Sequence, residues 1–272
     1  MMSFRVVVYF PVLILLGCFS YQPARPQQQA ILPPPQPAAP IDPLRVQADL
    51  GNPIAQYNLG LKLDEEEWHA EAARYFRMAA LQNVPEAQFN FALMQAEGVG
   101  VPKNEEAAFL MFKKAAVKGL AQAQYNVGIF LAEGRGTARS VPESIRWLRQ
   151  AAVQGHASAR VYMATLLLRG EIQTLNNQQV TEMARWISDE ALRGDKHAQY
   201  CLGLMMTKGL GLQPDASEAY SWLELAAAQG VKPAAAQRDL LAEQLTIAQV
   251  KQARDRAAQF KPLAPPAAPP RR

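Results

Sequence analysis

The chain has 272 residues, 49% of them hydrophobic and 19% charged, with a formal net charge of +4. That is enough apolar material to bury a sizeable core in one or two domains. The positive balance is weak, and Lys and Arg are spread along the sequence with no dense run before Arg271 and Arg272. This argues against a nucleic-acid binder, whose affinity depends on cations gathered against phosphates.

Taken in chain order, the first element is an export signal over residues 1–17. Arg5 supplies a positive start, and Val6 to Gly17 is an apolar run broken by Pro11. The run is shorter than the roughly 20 residues a spanning helix needs, and fits a secretory signal. It ends in Leu15-Leu16-Gly17-Cys18, which resembles the lipobox of bacterial lipoproteins, although Leu16 stands where a smaller residue is usual. The resemblance implies that Cys18 becomes the new N-terminus and carries the lipid. An ordinary signal cleaved after Ser20 is the alternative. Phe19, rather than Asp, follows the cysteine. By the same resemblance, this points to the outer membrane of a bacterial envelope, with the protein facing the periplasm.

Residues 18–47 are rich in Pro and Gln and include Pro33-Pro34-Pro35. Proline lacks a backbone donor and fixes φ, so the expectation is an extended, disordered linker. The final residues, 261–272, repeat the Pro- and Ala-rich character and carry the same expectation. Cys201 lies in a helical pattern, where a lone thiol reads as a small buried apolar group.

Residues 48–260 repeat internally. The anchors are Ala55, Ala87, Ala123, Ala159, Ala198 and Ala234, spaced by 32, 36, 36, 39 and 36. Five residues after the anchor stands a tiny residue (Gly60, Ala92, Gly128, Ala164, Gly203), which permits close helix approach. Eleven after it stands Gly98, Gly134, Gly170 or Gly209. These glycines suit a helix end in the left-handed conformation. A second helix follows, with a column of Tyr75, Met111, Trp147, Trp186 and Trp222 beside alanine pairs such as Ala115-Ala116 and Ala151-Ala152. Helical spacing puts these on one face, and the aromatic column is expected in the core. Asn83, Gly119, Gly155, Gly194 and Gly230 close this helix. In the fourth unit Glu190 occupies an alanine position, and a side chain swung to solvent is the expectation.

This helix–loop–helix unit resembles the Sel1-like repeat, a relative of the tetratricopeptide repeat, over about residues 48–231. The resemblance implies an all-α fold: a right-handed α-solenoid of about five helix-turn-helix units. A last pair, about Pro233 to Glu243 and Thr246 to Phe260, is expected to cap its exposed apolar end.

No catalytic, metal or cofactor pattern is found. His69, His156 and His197 are scattered, no cysteine pair offers a zinc site, and the Gly-x-Gly pairs recur at one repeat position as helix ends would. An enzyme is therefore not expected. In repeats this chain resembles, the first helix of each unit lines a concave face. Two residues after each anchor this places Tyr57, Phe89, Tyr125, Val161 and Tyr200. Ten after it come Glu65, Glu97, Glu133, Arg169 and Lys208. Aromatics with a charge that changes sign along the array suit a bound peptide segment, although the aromatics could equally be packing residues. The expectation is an envelope scaffold binding other proteins, held to a membrane by an N-terminal lipid. Alternatives are an enzyme or enzyme modulator in cell-wall or polysaccharide machinery, and a secreted effector touching host proteins.

Overall fold

The computed structural model describes residues 42–264, which form thirteen helices joined in sequence. Five units each contribute a first helix and a second. They are α2 (Pro53–Glu65) with α3 (His69–Leu81), and α4 (Pro85–Glu97) with α5 (Glu105–Val117). Then come α6 (Ala121–Glu133) with α7 (Val141–Val153), α8 (Ala157–Leu168) with α9 (Asn177–Leu192), and α10 (Lys196–Lys208) with α11 (Ala216–Ala228). Ahead of them lies α1 (Pro43–Asp49), and behind them the pair α12 (Lys232–Ala242) and α13 (Ile247–Ala258). From α1 to α12 each helix packs on its chain neighbours, as in an α-solenoid, and α13 packs on α11.

The tight pairing inside a unit comes from the tiny residue of the first helix. A Cβ built on Gly60 would sit 2.7 Å from the Phe76 ring, one on Gly128 2.5 Å from Leu148 Cγ, and one on Gly203 2.7 Å from Leu223 Cγ. The second helix of each unit thus buries a large residue one step beyond the expected column: Phe76, Phe112, Leu148, Ile187 and Leu223. Of that column Tyr75 is fully buried, whereas Met111, Trp147, Trp186 and Trp222 are only partly covered. An α-helix advances 100° per residue, so one step separates the core from its margin.

Glycine has two separate jobs in the loops. Gly98, Gly134 and Gly209 end the first helices at φ of 80°, 73° and 65°. The second glycine of each pair instead makes room. A Cβ on Gly100, Gly136 or Gly211 would lie 2.3, 2.2 or 2.7 Å from the carbonyl oxygen of His69, Glu105 or Val180. Each of those carbonyls belongs to the first turn of the second helix in the preceding unit. The loops of Gly-x-Gly are therefore struts between units, and not helix ends alone.

Two boundaries differ from expectation. Helix starts at Pro43, inside the expected linker, because proline at the first helical position gives up only a donor that has no partner there. Asp42 caps α1 by accepting from the Leu44 N–H at 2.9 Å. At the other end the expected tail begins docked: the Leu263 N–H donates to the Leu192 carbonyl at 2.8 Å. Thr246 does cap α13, forming a capping box with Gln249. That last helix follows α12 after a short turn and lies against α11, where Ser221 Oγ donates to the Ala253 carbonyl at 3.1 Å. The expected signal over 1–17, Cys18, and the linker up to residue 41 lie outside the described residues.

The units are also locked by buried glutamines. Gln56, Gln88, Gln124 and Gln199 each donate through Nε2 to a carbonyl of the helix before, those of Ala48, Ala80, Ala116 and Ala191, at 3.0–3.2 Å. Gln82, Gln154 and Gln229, at the ends of the second helices, then donate to the Oε1 of Gln56, Gln124 and Gln199 at 2.7–2.8 Å. Unit two lacks this second donor. Lys118 stands there and reaches the Asn83 carbonyl, and Gln88 Oε1 is left buried without a partner.

Unit four replaces the lock with charge. Arg160 stands in the glutamine register; its Nε donates to the Ala152 carbonyl at 3.0 Å and its Nη1 to Glu190 Oε1 at 2.7 Å. Arg193 Nη1 approaches the same oxygen at 3.5 Å. Glu190 is 7% exposed, so the expectation of a solvent-facing carboxylate is wrong. Its departure from alanine is matched by two arginines. A buried carboxylate is tolerated only when paired and hydrogen-bonded.

Candidate functional site

The first helices carry residues 2, 6 and 10 positions after the anchor in one line, since a spacing of four returns to the same face. The lines are Tyr57-Leu61-Glu65, Phe89-Leu93-Glu97, Tyr125-Ile129-Glu133, Val161-Thr165-Arg169 and Tyr200-Leu204-Lys208. The structure makes this a graded face. Tyr57, Phe89, Tyr125, Val161 and Tyr200 are each half-buried, whereas Glu65, Glu97, Glu133, Arg169 and Lys208 are all exposed.

The aromatic column is therefore partly packing and partly open. One edge of each ring packs inward: Tyr57 lies 6.0 Å from the Phe76 ring and Phe89 5.7 Å from Phe112. Tyr125 stacks on His156 at 4.7 Å and meets Tyr162 edge-on at 6.4 Å. The other edge stays open. Burial pushes the Tyr57, Tyr125 and Tyr200 hydroxyls up from their ordinary range, so all three are neutral donors.

Sequence reasoning missed Tyr162 and His156. Tyr162 stands one residue past the column, in the register where units one to three have Asn58, Asn90 and Asn126. Unit four thus moves its aromatic by one position and leaves Val161 in the column. The Tyr162 hydroxyl donates to Glu133 Oε1 at 3.3 Å, joining α8 to α6. Burial first, and the Glu133 charge second, push its pKa up to about 12. A displaced aromatic beside a vacated column was the available signal. His156 caps α8, its Nδ1 accepting from the Ala159 N–H at 3.2 Å. Burial holds its imidazole below the usual value, consistent with a neutral ring that keeps Nδ1 as an acceptor.

The charge column is less uniform than its sign pattern. Glu133 has company in Tyr162 and in Arg135 at 3.8 Å. Arg169 lies 3.9 Å from Glu171, and Lys208 donates to the Leu168 carbonyl at 3.3 Å. The face as a whole offers apolar, neutral-donor and charged groups in repeated order. Among the described residues no group of three or more His, Cys, Asp or Glu lies where it could hold a metal ion. Cys201 is buried, with its thiol pushed up to about 11 by that burial. No described helix is long and apolar enough to cross a membrane.

A family model described as Sel1 repeat matches residues 53–84, 85–120, 121–156 and 196–231, together just over half of the chain. It passes over unit four. Among solved structures, a protective antigen of uropathogenic Escherichia coli displaying an SLR fold is 26% identical with a TM-score of 0.65. That alignment covers 79% of this chain and 48% of the antigen. A Sel1 repeat protein from Oxalobacter formigenes is 32% identical with a TM-score of 0.58, over 73% of this chain and 57% of the other. The chain thus spans about half the length of these two relatives. No curated protein matches it in sequence.

Proposed function

Because the chain belongs to the Sel1 repeat family, whose scaffolds generally serve protein–protein interaction, we propose that it is an adaptor of the bacterial envelope. It holds a partner protein against the graded face of its first helices while Cys18 carries a membrane anchor. The observation that carries the binding reading is the half-open line of Tyr57, Phe89, Tyr125 and Tyr200, continued across units by Tyr162. Half-exposed aromatics give large contact area at low entropic cost, and the exposed charges beyond them set orientation. The sign change from Glu65, Glu97 and Glu133 to Arg169 and Lys208 suits a segment with a basic half and an acidic half.

Anchoring rests on the sequence Leu15-Leu16-Gly17-Cys18 and on the Pro- and Gln-rich stretch behind it. An acyl chain contributes roughly 0.8 kcal/mol per buried CH₂, so a diacylated cysteine holds firmly.

The test places a photo-crosslinking residue at Ile129 in intact cells. A discrete partner band is expected, diminished by Tyr125→Ala and depleted from the membrane fraction by Cys18→Ala. A band of equal strength in Tyr125→Ala would remove this face from partner binding. Unchanged membrane fractionation in Cys18→Ala would remove the anchor.

A further inference from the structure

The scattered cations of the sequence do not stay scattered. The second helices of units one to three turn one face outward, and the same registers recur on each. The last residue of each helix is apolar and open: Leu81 is 66% exposed, Val117 72% and Val153 63%. One turn before it stand cations, Arg77 on α3, Lys113 and Lys114 on α5, and Arg149 on α7, all exposed. One turn earlier again come Arg74 and Arg146. Cations dispersed in the sequence thus share one face of the packed helices. Three of these side chains have carboxylate partners, Arg74 with Glu71 at 3.7 Å, Lys113 with Glu143 at 3.8 Å and Arg149 with Glu182 at 3.2 Å. Arg77, Lys114 and Arg146 have no carboxylate within salt-bridge distance.

Cations near helix C-termini are accounted for in part by the helix dipole. The three open aliphatic residues between them are not, and nothing in the described chain covers them. We propose that this outer face of α3, α5 and α7 docks on an anionic lipid surface, with Leu81, Val117 and Val153 entering the headgroup layer and the unpaired cations meeting phosphates. The combination is that of interfacial amphipathic helices, in which apolar insertion and charge attraction act together. A docked helix is disfavoured by a comparison within the molecule. Among the described residues, a helix covers this face where α13 lies on α11, and there Ser221 stands in the register that elsewhere holds Arg74, Leu110 and Arg146. Long side chains at that register keep a backbone away but extend readily toward headgroups.

The test uses the full chain carrying Cys18→Ser, so that no acyl chain contributes. An environment-sensitive fluorophore is attached at Val117→Cys or, on the first helix of the next unit, at Gln122→Cys. Cys201 is buried and stays unlabelled. With vesicles of phosphatidylglycerol and phosphatidylcholine, the Val117 label should brighten and shift to the blue, and the Gln122 label should not. The response should vanish with pure phosphatidylcholine, and partitioning should fall about tenfold or more in the triple change Arg77→Gln, Lys114→Gln and Arg146→Gln. Equal responses at both labels, no response at either, or indifference to the triple change would each overturn the proposal. So would binding to soluble heparin while the Val117 label stays in a polar environment on vesicles, which would make the face a polyanion site.

Discussion

Units three and four follow the same helical path with different chemistry at the seam. In unit three, Gln124 and Gln154 lock the helices through neutral amides, while Gly134 ends the first helix and Gly136 lies against the start of the second helix of unit two. Unit four has Arg160, Glu190 and Arg193 at the lock, and a Gly170 loop that lacks the second glycine and tucks Ile172 into the core instead. The family pattern matches the first and passes over the second. The comparison teaches that the fold tolerates loss of its signature residues when the replacements satisfy one another.

The sharpest way to break this equivalence is Glu190→Ala. It leaves the half-buried Arg160 without its carboxylate and should cost about 3 kcal/mol, measured by denaturant unfolding. The compound change Arg160→Gln, Glu190→Ala and Arg193→Gln rebuilds the neutral lock and should return stability to within about 1 kcal/mol of the parent. If the compound chain is no better than Glu190→Ala, the two locks are not interchangeable.

Next in size is the packing both units share. Leu148→Ala in unit three, which faces Gly128, and Ile187→Ala in unit four remove fully buried side chains, and each should cost about 2–5 kcal/mol. A negligible shift in Tm for either would show that its helix pair is held by something else.

A smaller effect concerns single amides. Gln154→Ala orphans Gln124 Oε1 and should cost about 1–2 kcal/mol. Lys118→Gln in unit two should do the reverse, supplying the donor that Gln88 Oε1 lacks and gaining about 1 kcal/mol in the same unfolding assay.

The smallest is a pH effect at the boundary between the two units. His156 is held below its ordinary pKa of 6.5 by burial, so as pH falls the unfolded chain takes up its proton first. Its contribution is complete above about pH 6.5 and is lost as pH falls through that value toward the lower folded-state pKa. His156→Asn keeps a cap of the kind Asn52 gives α2, and should lose less Tm than the parent between about pH 7.5 and about pH 5.5. Identical losses would show that this imidazole does not titrate with folding.

The repeat was legible because its punctuation is chemical: anchor alanines, cap glycines and a fixed period leave few other folds open. The Gly60, Gly128 and Gly203 contacts follow from the same logic. The core column was misplaced by one residue because tryptophan is the larger apolar side chain, yet Leu148, not Trp147, meets Gly128. Size alone does not fix the angle around a helix. Glu190 was misjudged because its partners are 30 residues before it and three after it, and only the packed helices bring Arg160 and Arg193 to one oxygen. Tyr57, Phe89, Tyr125 and Tyr200 were legible as a column but not as half-open. Tyr162 was hidden by a one-residue displacement, and the outer cations by spacing that linear reading averages away.

The locking side chains have a bearing on how such arrays change length. Across each unit boundary, the buried Gln56, Gln88, Gln124 and Gln199 and the half-buried Arg160 reach a main-chain carbonyl, which every residue supplies. Their side-chain partners, Gln82, Gln154, Glu190 with Arg193, and Gln229, lie within the same unit. A whole unit is therefore self-contained at its seam, and can be duplicated, deleted or exchanged by recombination at the start of a first helix without mismatching its lock. A crossover falling between Arg160 and Glu190 would leave charge facing amide, so that gene rearrangements survive at some joints and fail at others.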